Sequence, residues 1–254
     1  MRNLLSVFLL LILTSFAYAQ QSFTPEYYFS GTDTLRFRLL KPLNYNPDNS
    51  YPVVISLHGA GERGYDNKKQ LVYISDLFLD STNRAKYPCF VFAPQCPPEP
   101  MRWSMCDRFE NPVTLPEEES RTLSLAMRVF NVLMDRYSID RNRIYITGLS
   151  QGGCGTYDML IRYPEMFAAA APICGWSDTS KAGLIKDIPL WIFHGDSDNV
   201  VQPEHSRNMV KALKDAGGNP KYTEYLGVNH GSWLNAYKEP DFFEWLFSQK
   251  RKSR

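Results

Sequence analysis

Several residue classes are scarce in this sequence, and each scarcity closes a functional class. Cysteine appears five times in 254 residues, too few for a disulfide-built scaffold. Neither sign of charge is in excess, with 28 Lys+Arg against 27 Asp+Glu, so the basic footprint of a nucleic-acid binder is missing. Histidine is rarer still. His58, His194, His205 and His230 are scattered, and without a C-x-x-C pair they give no zinc-ligand spacing, so no metal is expected. No G-x-x-x-x-G-K-[ST] phosphate loop occurs, and no G-x-G-x-x-G follows the first apolar strand pattern, so no cofactor is expected either. There is no internal repeat and no linker-like stretch.

What is present is an ordinary globular composition, 44% hydrophobic and 14% aromatic. A chain of this size buries about 70–75% of its unfolded surface, enough for a core without metal or disulfides.

Residues 1–19 have the parts of a secretory leader. Arg2 is the positive start, Leu4 to Leu13 the apolar run, and Ala17-Tyr18-Ala19 an A-x-A cleavage site. The run is too short to span a bilayer, and no cysteine follows the cleavage site to carry a lipid. Cleavage after Ala19 predicts an exported chain, with residues 20–254 as one domain and no stable membrane insertion. It also places Cys89, Cys96, Cys106, Cys154 and Cys174 in an oxidising compartment. The odd count leaves at least one unpaired within a monomer. Spacing alone leaves open which of them pair and which stay as thiols.

Thr34 to Leu40 alternates apolar and polar residues and reads as an edge strand with one wet face. Beyond it come short continuous apolar runs: Val53–Leu57, Phe90–Ala93, Ile144–Thr147, Ala168–Ile173, Leu190–Phe193 and Tyr222–Leu226. Such runs belong to strands covered on both faces, as in a parallel sheet. Helical periodicity fills the gaps at Pro116–Tyr137, Gln151–Tyr163, Pro203–Ala216 and Asp241–Gln249. The alternation predicts an α/β domain, a mostly parallel central sheet with helices on both faces.

Gly148-Leu149-Ser150-Gln151-Gly152 is a G-x-S-x-G motif lying directly between a predicted strand and a predicted helix. That context makes it a nucleophile elbow, with Ser150 lifted on a sharp turn and the Gln151 N–H aimed at a developing oxyanion. A serine needs an imidazole to take its proton, and in this arrangement the acid and the histidine follow the serine in the chain. His230 lies in the turn-rich loop after the last strand and fits the base. Asp198, on the loop after Leu190–Phe193, is the first choice of acid, with Asp196 and Asp178 as alternatives. Asp196 is also suited to an Asx turn that shapes the loop. His58-Gly59-Ala60-Gly61-Glu62-Arg63-Gly64 follows the strand Val53–Leu57 and offers the second oxyanion donor, Ala60 before Gly61. His58 is expected to brace that loop, His194 to be a satisfied structural residue and His205 to be exposed.

These motifs, with Ala93-Pro94-Gln95-Cys96-Pro97 and Trp103, resemble secreted α/β-hydrolases of the prolyl-oligopeptidase-like and phospholipase/carboxylesterase-like type. Feruloyl, acetyl-xylan and polyhydroxybutyrate-type esterases are relatives of these. The resemblance covers nearly all of the chain after the leader. It implies the α/β-hydrolase fold, Ser150, Asp198 and His230 as the triad, and an H-G-x oxyanion donor at Ala60. A dienelactone hydrolase would carry Cys where this chain has Ser150. Only Gly175 to Asp187 separates two strand runs where many such enzymes carry a lid, so the cap is expected to be minimal and the site open. That suits a small-molecule or polysaccharide ester, with Trp103, Trp176 and Trp233 as a stacking platform. A peptidase or thioesterase using the same triad, and a non-catalytic binding protein of this fold, are the alternatives.

Overall fold

The computed structural model describes residues 22–31 and 33–251. The expected leader, residues 1–19, lies outside them. Eight strands form one sheet: β1 (Thr24–Ser30), β2 (Asp33–Leu40), β3 (Tyr51–Leu57), β4 (Phe90–Gln95), β5 (Ile139–Leu149), β6 (Ala169–Ile173), β7 (Trp191–Gly195) and β8 (Lys221–Tyr225). Their spatial order is β1-β2-β4-β3-β5-β6-β7-β8. The first two strands run antiparallel to each other, β2 runs antiparallel to β4, and every later pairing is parallel.

Alternation along the central strands explains the layers. Val53, Ile55, Phe90, Phe92, Ile144 and Ile146 point into one apolar cluster. Their neighbours Val54, Val91, Ala93 and Tyr145 point into another. Side chains successive along a strand face opposite sides of the sheet, so a run without polar interruption must be covered twice. On the first face lie α3 (Arg121–Arg136), α4 (Gln151–Arg162) and α6 (Glu204–Asp215). The second face is covered by α1 (Ser75–Leu79) and α8 (Phe242–Ser248). Among the described residues there are three further short α-helices: α2 (Ser81–Lys86), α5 (Ala182–Ile185) and α7 (Trp233–Ala236). Among the described residues, no helix is long and apolar enough to cross a membrane.

Three local expectations need correction. The alternating strand at 34–40 is not the edge, because β1 pairs along its outer side. Pro25 within β1 is tolerable there, since an edge strand leaves one row of amides unpaired. The helix expected from Pro116 begins five residues later, at Arg121. Ser120 caps it, accepting the Leu123 N–H at 3.1 Å. The carbonyls of Pro116 and Glu117 instead accept the Arg162 guanidinium, each at 2.6 Å. The basic end, Lys250-Arg251-Lys252-Ser253-Arg254, reads from composition as a frayed solvated tail, but it is held at its start. Arg251 donates to the carbonyls of Asn142 and Glu165, each at 2.9 Å, while residues 252–254 lie outside the described part.

The strand β5 and the helix α4 meet in a space too small for side chains. A Cβ on Gly148 would stand 2.2 Å from the Gly152 carbonyl oxygen, and one on Gly152 would stand 2.0 Å from that of Leu57. Gly183, exposed on α5, has nothing within 4 Å of its Cβ position. Gly152→Ala is expected to lower the thermal midpoint by roughly 10 °C or to prevent soluble folding. Gly183→Ala should leave it within about 2 °C. Thermal denaturation of both variants checks the contrast.

Candidate active site

Ser150 joins β5 to α4 with φ 53° and ψ −117°, a left-handed conformation rare for a residue with a side chain. The turn is held from below by the Ser150 N–H, which donates to the Ile173 carbonyl at 2.9 Å. Its hydroxyl faces the His230 ring, with Oγ 2.9 Å from Nε2. On the other side of that ring, Nδ1 lies 2.7 Å from Asp198 Oδ2. Residues 150, 198 and 230 therefore form one hydrogen-bonded line, brought together by the ends of β5, β7 and β8. With Nδ1–H donating to the carboxylate, Nε2 is free to accept the serine proton.

The Asp198 side chain has no solvent exposure. Burial alone would push its carboxyl up, but hydrogen bonds from His194 and His230 and from the amides of Val201 and Val200 outweigh it. The balance holds the group far below the usual carboxylate range, so it is charged whenever the protein is folded near neutrality. The two amides donate to Oδ1, each at 2.9 Å. Asp196 does the loop-shaping considered for it in the sequence: its Oδ1 accepts the Gly227 N–H at 2.7 Å. That bond ties the loop after β7 to the loop after β8, which carries His230. Asp178 caps the turn Thr179–Lys181 and accepts the Leu115 N–H at 3.2 Å, away from the imidazole.

The remaining histidines divide as follows. His58 is buried, its Nδ1 2.6 Å from the Gly59 carbonyl and its Nε2 accepting the Cys96 N–H at 2.9 Å. Burial lowers it to about 4, so it is neutral and braces the loop after β3. Its ring is also met edge-on by Trp103. His194 is fully buried. His205 is half-buried rather than exposed, and desolvation pulls its proton affinity down.

Gln151 opens α4 and Ala60 opens the short turn Ala60–Glu62. Among the described residues, neither N–H is engaged by an acceptor within the chain. Both lie just past the carboxyl ends of strands, β5 and β3, where ligands of open α/β sheets bind.

Of the three tryptophans expected to form a platform, two are corrected. Trp103 has 0% exposure and its Nε1–H donates to the His58 carbonyl at 3.0 Å. It fills the space behind the loop after β3 and has no free ring face. Trp176 is 5% exposed and donates to the Cys106 carbonyl at 3.1 Å. Trp233 stands at the site, edge-to-face with His230 at 5.3 Å between ring centres and tilted against Tyr73, also at 5.3 Å. Its Nε1–H has no partner within the chain among the described residues. Tyr73 is the wall residue that sequence reasoning missed, because no local motif links the segment before α1 to the loop after β8.

All five cysteines are buried thiols. Cys174 lies behind the triad, its Sγ–H 3.7 Å from the His230 carbonyl, and burial pushes its thiol up to about 12. The thiol of Cys106 meets that of Cys154 in the first turns of α4.

Comparison with known proteins agrees with this architecture. Residues 31–236 match the Esterase family. Poly(3-hydroxyalkanoate) depolymerase C of Paucimonas lemoignei is 24% identical over 78% of this chain and 51% of its own length. Feruloyl esterase B of Thermothelomyces thermophilus is 23% identical over 73% of this chain and 72% of its own. A solved thermostable esterase superposes with a TM-score of 0.82 at 41% identity, over 91% of this chain and 64% of that one. The chain thus spans about half the length of the depolymerase and under two thirds of the solved esterase. With the match running from β2 to α7, the chain belongs to the Esterase family and has the α/β-hydrolase fold.

Proposed function

We propose that the protein is an exported serine hydrolase that cleaves carboxylic esters by two-step acyl transfer. The observation that carries this reading is the line Ser150–His230–Asp198, with separations of 2.9 and 2.7 Å, in a chain of the Esterase family.

In the first step Ser150 Oγ attacks the ester carbonyl carbon while His230 Nε2 takes its proton. Asp198 orients the imidazole and stabilises its charged form. The carbonyl oxygen becomes an oxyanion, received by the N–H groups of Gln151 and Ala60; each such donor supplies about 3–4 kcal/mol in comparable sites. Collapse breaks the bond to the alcohol oxygen, which leaves with the proton from His230. A water molecule then gives its proton to His230 and attacks the acyl carbon, and the carboxylic acid departs as Ser150 recovers its hydrogen.

Acylated carbohydrate, of acetyl or feruloyl type, is the substrate class we infer. The feruloyl esterase relative supports it, as does the short connection between β6 and β7, whose helical parts are a single turn at Thr179–Lys181 and α5. Trp233 and Tyr73 supply an aromatic wall directly beside His230, suited to a sugar ring or an aromatic acid. The leader-like start and the near-equal charge balance fit an exported enzyme acting on a neutral polymer.

Ser150→Ala is expected to abolish p-nitrophenyl ester hydrolysis and fluorophosphonate labelling while the thermal midpoint stays near wild type. Asp198→Asn should lower kcat by roughly 10⁴. Retained turnover in Ser150→Ala would refute the assignment. Trp233→Ala should raise KM about tenfold for feruloylated oligosaccharide and leave KM for p-nitrophenyl acetate within about twofold. Equal effects on both substrates would remove Trp233 from substrate recognition.

A further inference from the structure

His194, the last residue but one of β7, carries an imidazole with 0% exposure, and its two ring nitrogens face different elements. Nδ1 lies 2.7 Å from the Ser206 hydroxyl on α6. Nε2 lies 2.9 Å from the Val201 carbonyl and 3.3 Å from Asp198 Oδ2. Both groups facing Nε2 are acceptors, so that nitrogen carries a hydrogen. The Ser206 hydroxyl then donates to Nδ1 and fixes the tautomer.

Every side of the Asp198 carboxylate is therefore taken. Oδ1 holds the amides of Val200 and Val201, and Oδ2 is shared between His230 and His194. A carboxylate with one donor to spare can rotate about its last bond and carry His230 with it. Here the fourth donor, at the same Oδ2 that meets His230, restricts that freedom.

We propose that His194, oriented by Ser206, is a positioning residue for the catalytic acid, locking Asp198 so that its Oδ2 stays aimed at His230 Nδ1. This rests on the reading of Ser150, His230 and Asp198 as the triad. Ser206 is fully buried as well, so the relay Ser206–His194–Asp198–His230–Ser150 runs through the protein from α6 to the nucleophile.

The charged and titratable groups around it are few. His205 faces His194 from α6 with Arg108 beyond it, and Glu224 faces it from β8. Glu224 is neutralised by Arg207 through two bonds of 2.9 and 2.8 Å. The Cys174 thiol lies within 4.8 Å of an Asp198 oxygen and a His230 ring nitrogen and is kept protonated by burial.

Removing the donor leaves more negative charge on Oδ2, which favours the protonated imidazole of His230. The acid limb of kcat/KM then moves to higher pH, an effect that loss of packing alone does not produce.

The test compares His194→Leu, His194→Gln and Ser206→Ala with the wild-type chain on a p-nitrophenyl ester across pH. Leu keeps the bulk and removes the donor; Gln keeps an N–H near the position of Nε2. His194→Leu is expected to lower kcat about tenfold with KM within about twofold, and to raise the acid limb by roughly half a pH unit. His194→Gln should recover most of both, and Ser206→Ala should fall between. A His194→Leu variant with wild-type kcat and an unmoved limb would overturn the proposal. So would a His194→Gln variant as impaired as the Leu variant. Should His194→Leu fail to fold, Ser206→Ala and His194→Gln decide on the same readouts. Wild-type protein that takes no fluorophosphonate would instead sink the triad reading beneath it.

Discussion

The whole site depends on one strained residue. Ser150 is held at φ 53° because the chain must turn from β5 into α4 within a single peptide step. That turn is possible only where α4 can sink onto the sheet, and its first residues nearly touch the Leu57 carbonyl at the end of β3. The energy stored in the turn is offset by the two apolar layers on either side, which fix β3, β5 and β6 in register. Because the elbow sits between those strands, the loops after β3 and after β5 meet over it. The loops after β7 and β8 arrive from one side. Position in the sheet, more than any local sequence preference, makes distant side chains neighbours.

The elbow is legible in sequence because it is local: two glycines, a serine, and a change of hydrophobic period fall within a few residues. Covered strands are legible for a similar reason, since burial on both faces writes itself as an uninterrupted apolar run. What sequence misses is set by contacts between distant segments. The strand β1 carries Pro25 and exposed Tyr27 and Phe29, so it lacks the apolar alternation that reveals a half-buried strand. The start of α3 is displaced because Arg162, far along the chain, collects the carbonyls of Pro116 and Glu117. Trp103 and Trp176 lie on loops, and loops are usually wet. These two loops are instead stitched down, by a bond to the His58 carbonyl and a bond to the Cys106 carbonyl.

The two aspartates of the loop after β7 show how neighbouring residues of one type acquire different tasks. Asp196 spends its carboxylate on the backbone of Gly227 and the hydroxyl of Ser197, so it shapes the loops and has no bond to the imidazole. Asp198, two residues on, is turned inward by the amides of Val200 and Val201. Chain order puts both on the correct loop for an acid. Which of them reaches His230 is decided by the direction the loop takes after Gly195, and that direction comes from its ties to the loop after β8.

The environment of Asp198 has a further electrostatic consequence. Among the described residues, its ion-pair partners are two histidines, with no lysine or arginine. Its negative charge is held by amide and imidazole donors instead of a permanent cation. A lysine or arginine at that position would hold the carboxylate equally well in the resting state. It would, however, repel the imidazolium that forms when His230 takes the serine proton, and at low effective dielectric that repulsion acts directly on the transition state. Fixed dipoles avoid the conflict: they keep the carboxylate ionised before the reaction and leave its charge available to the imidazolium during it. On the proposed mechanism, the choice of neutral donors around residue 198 favours the charged intermediate state over the resting one, which is the direction catalysis requires.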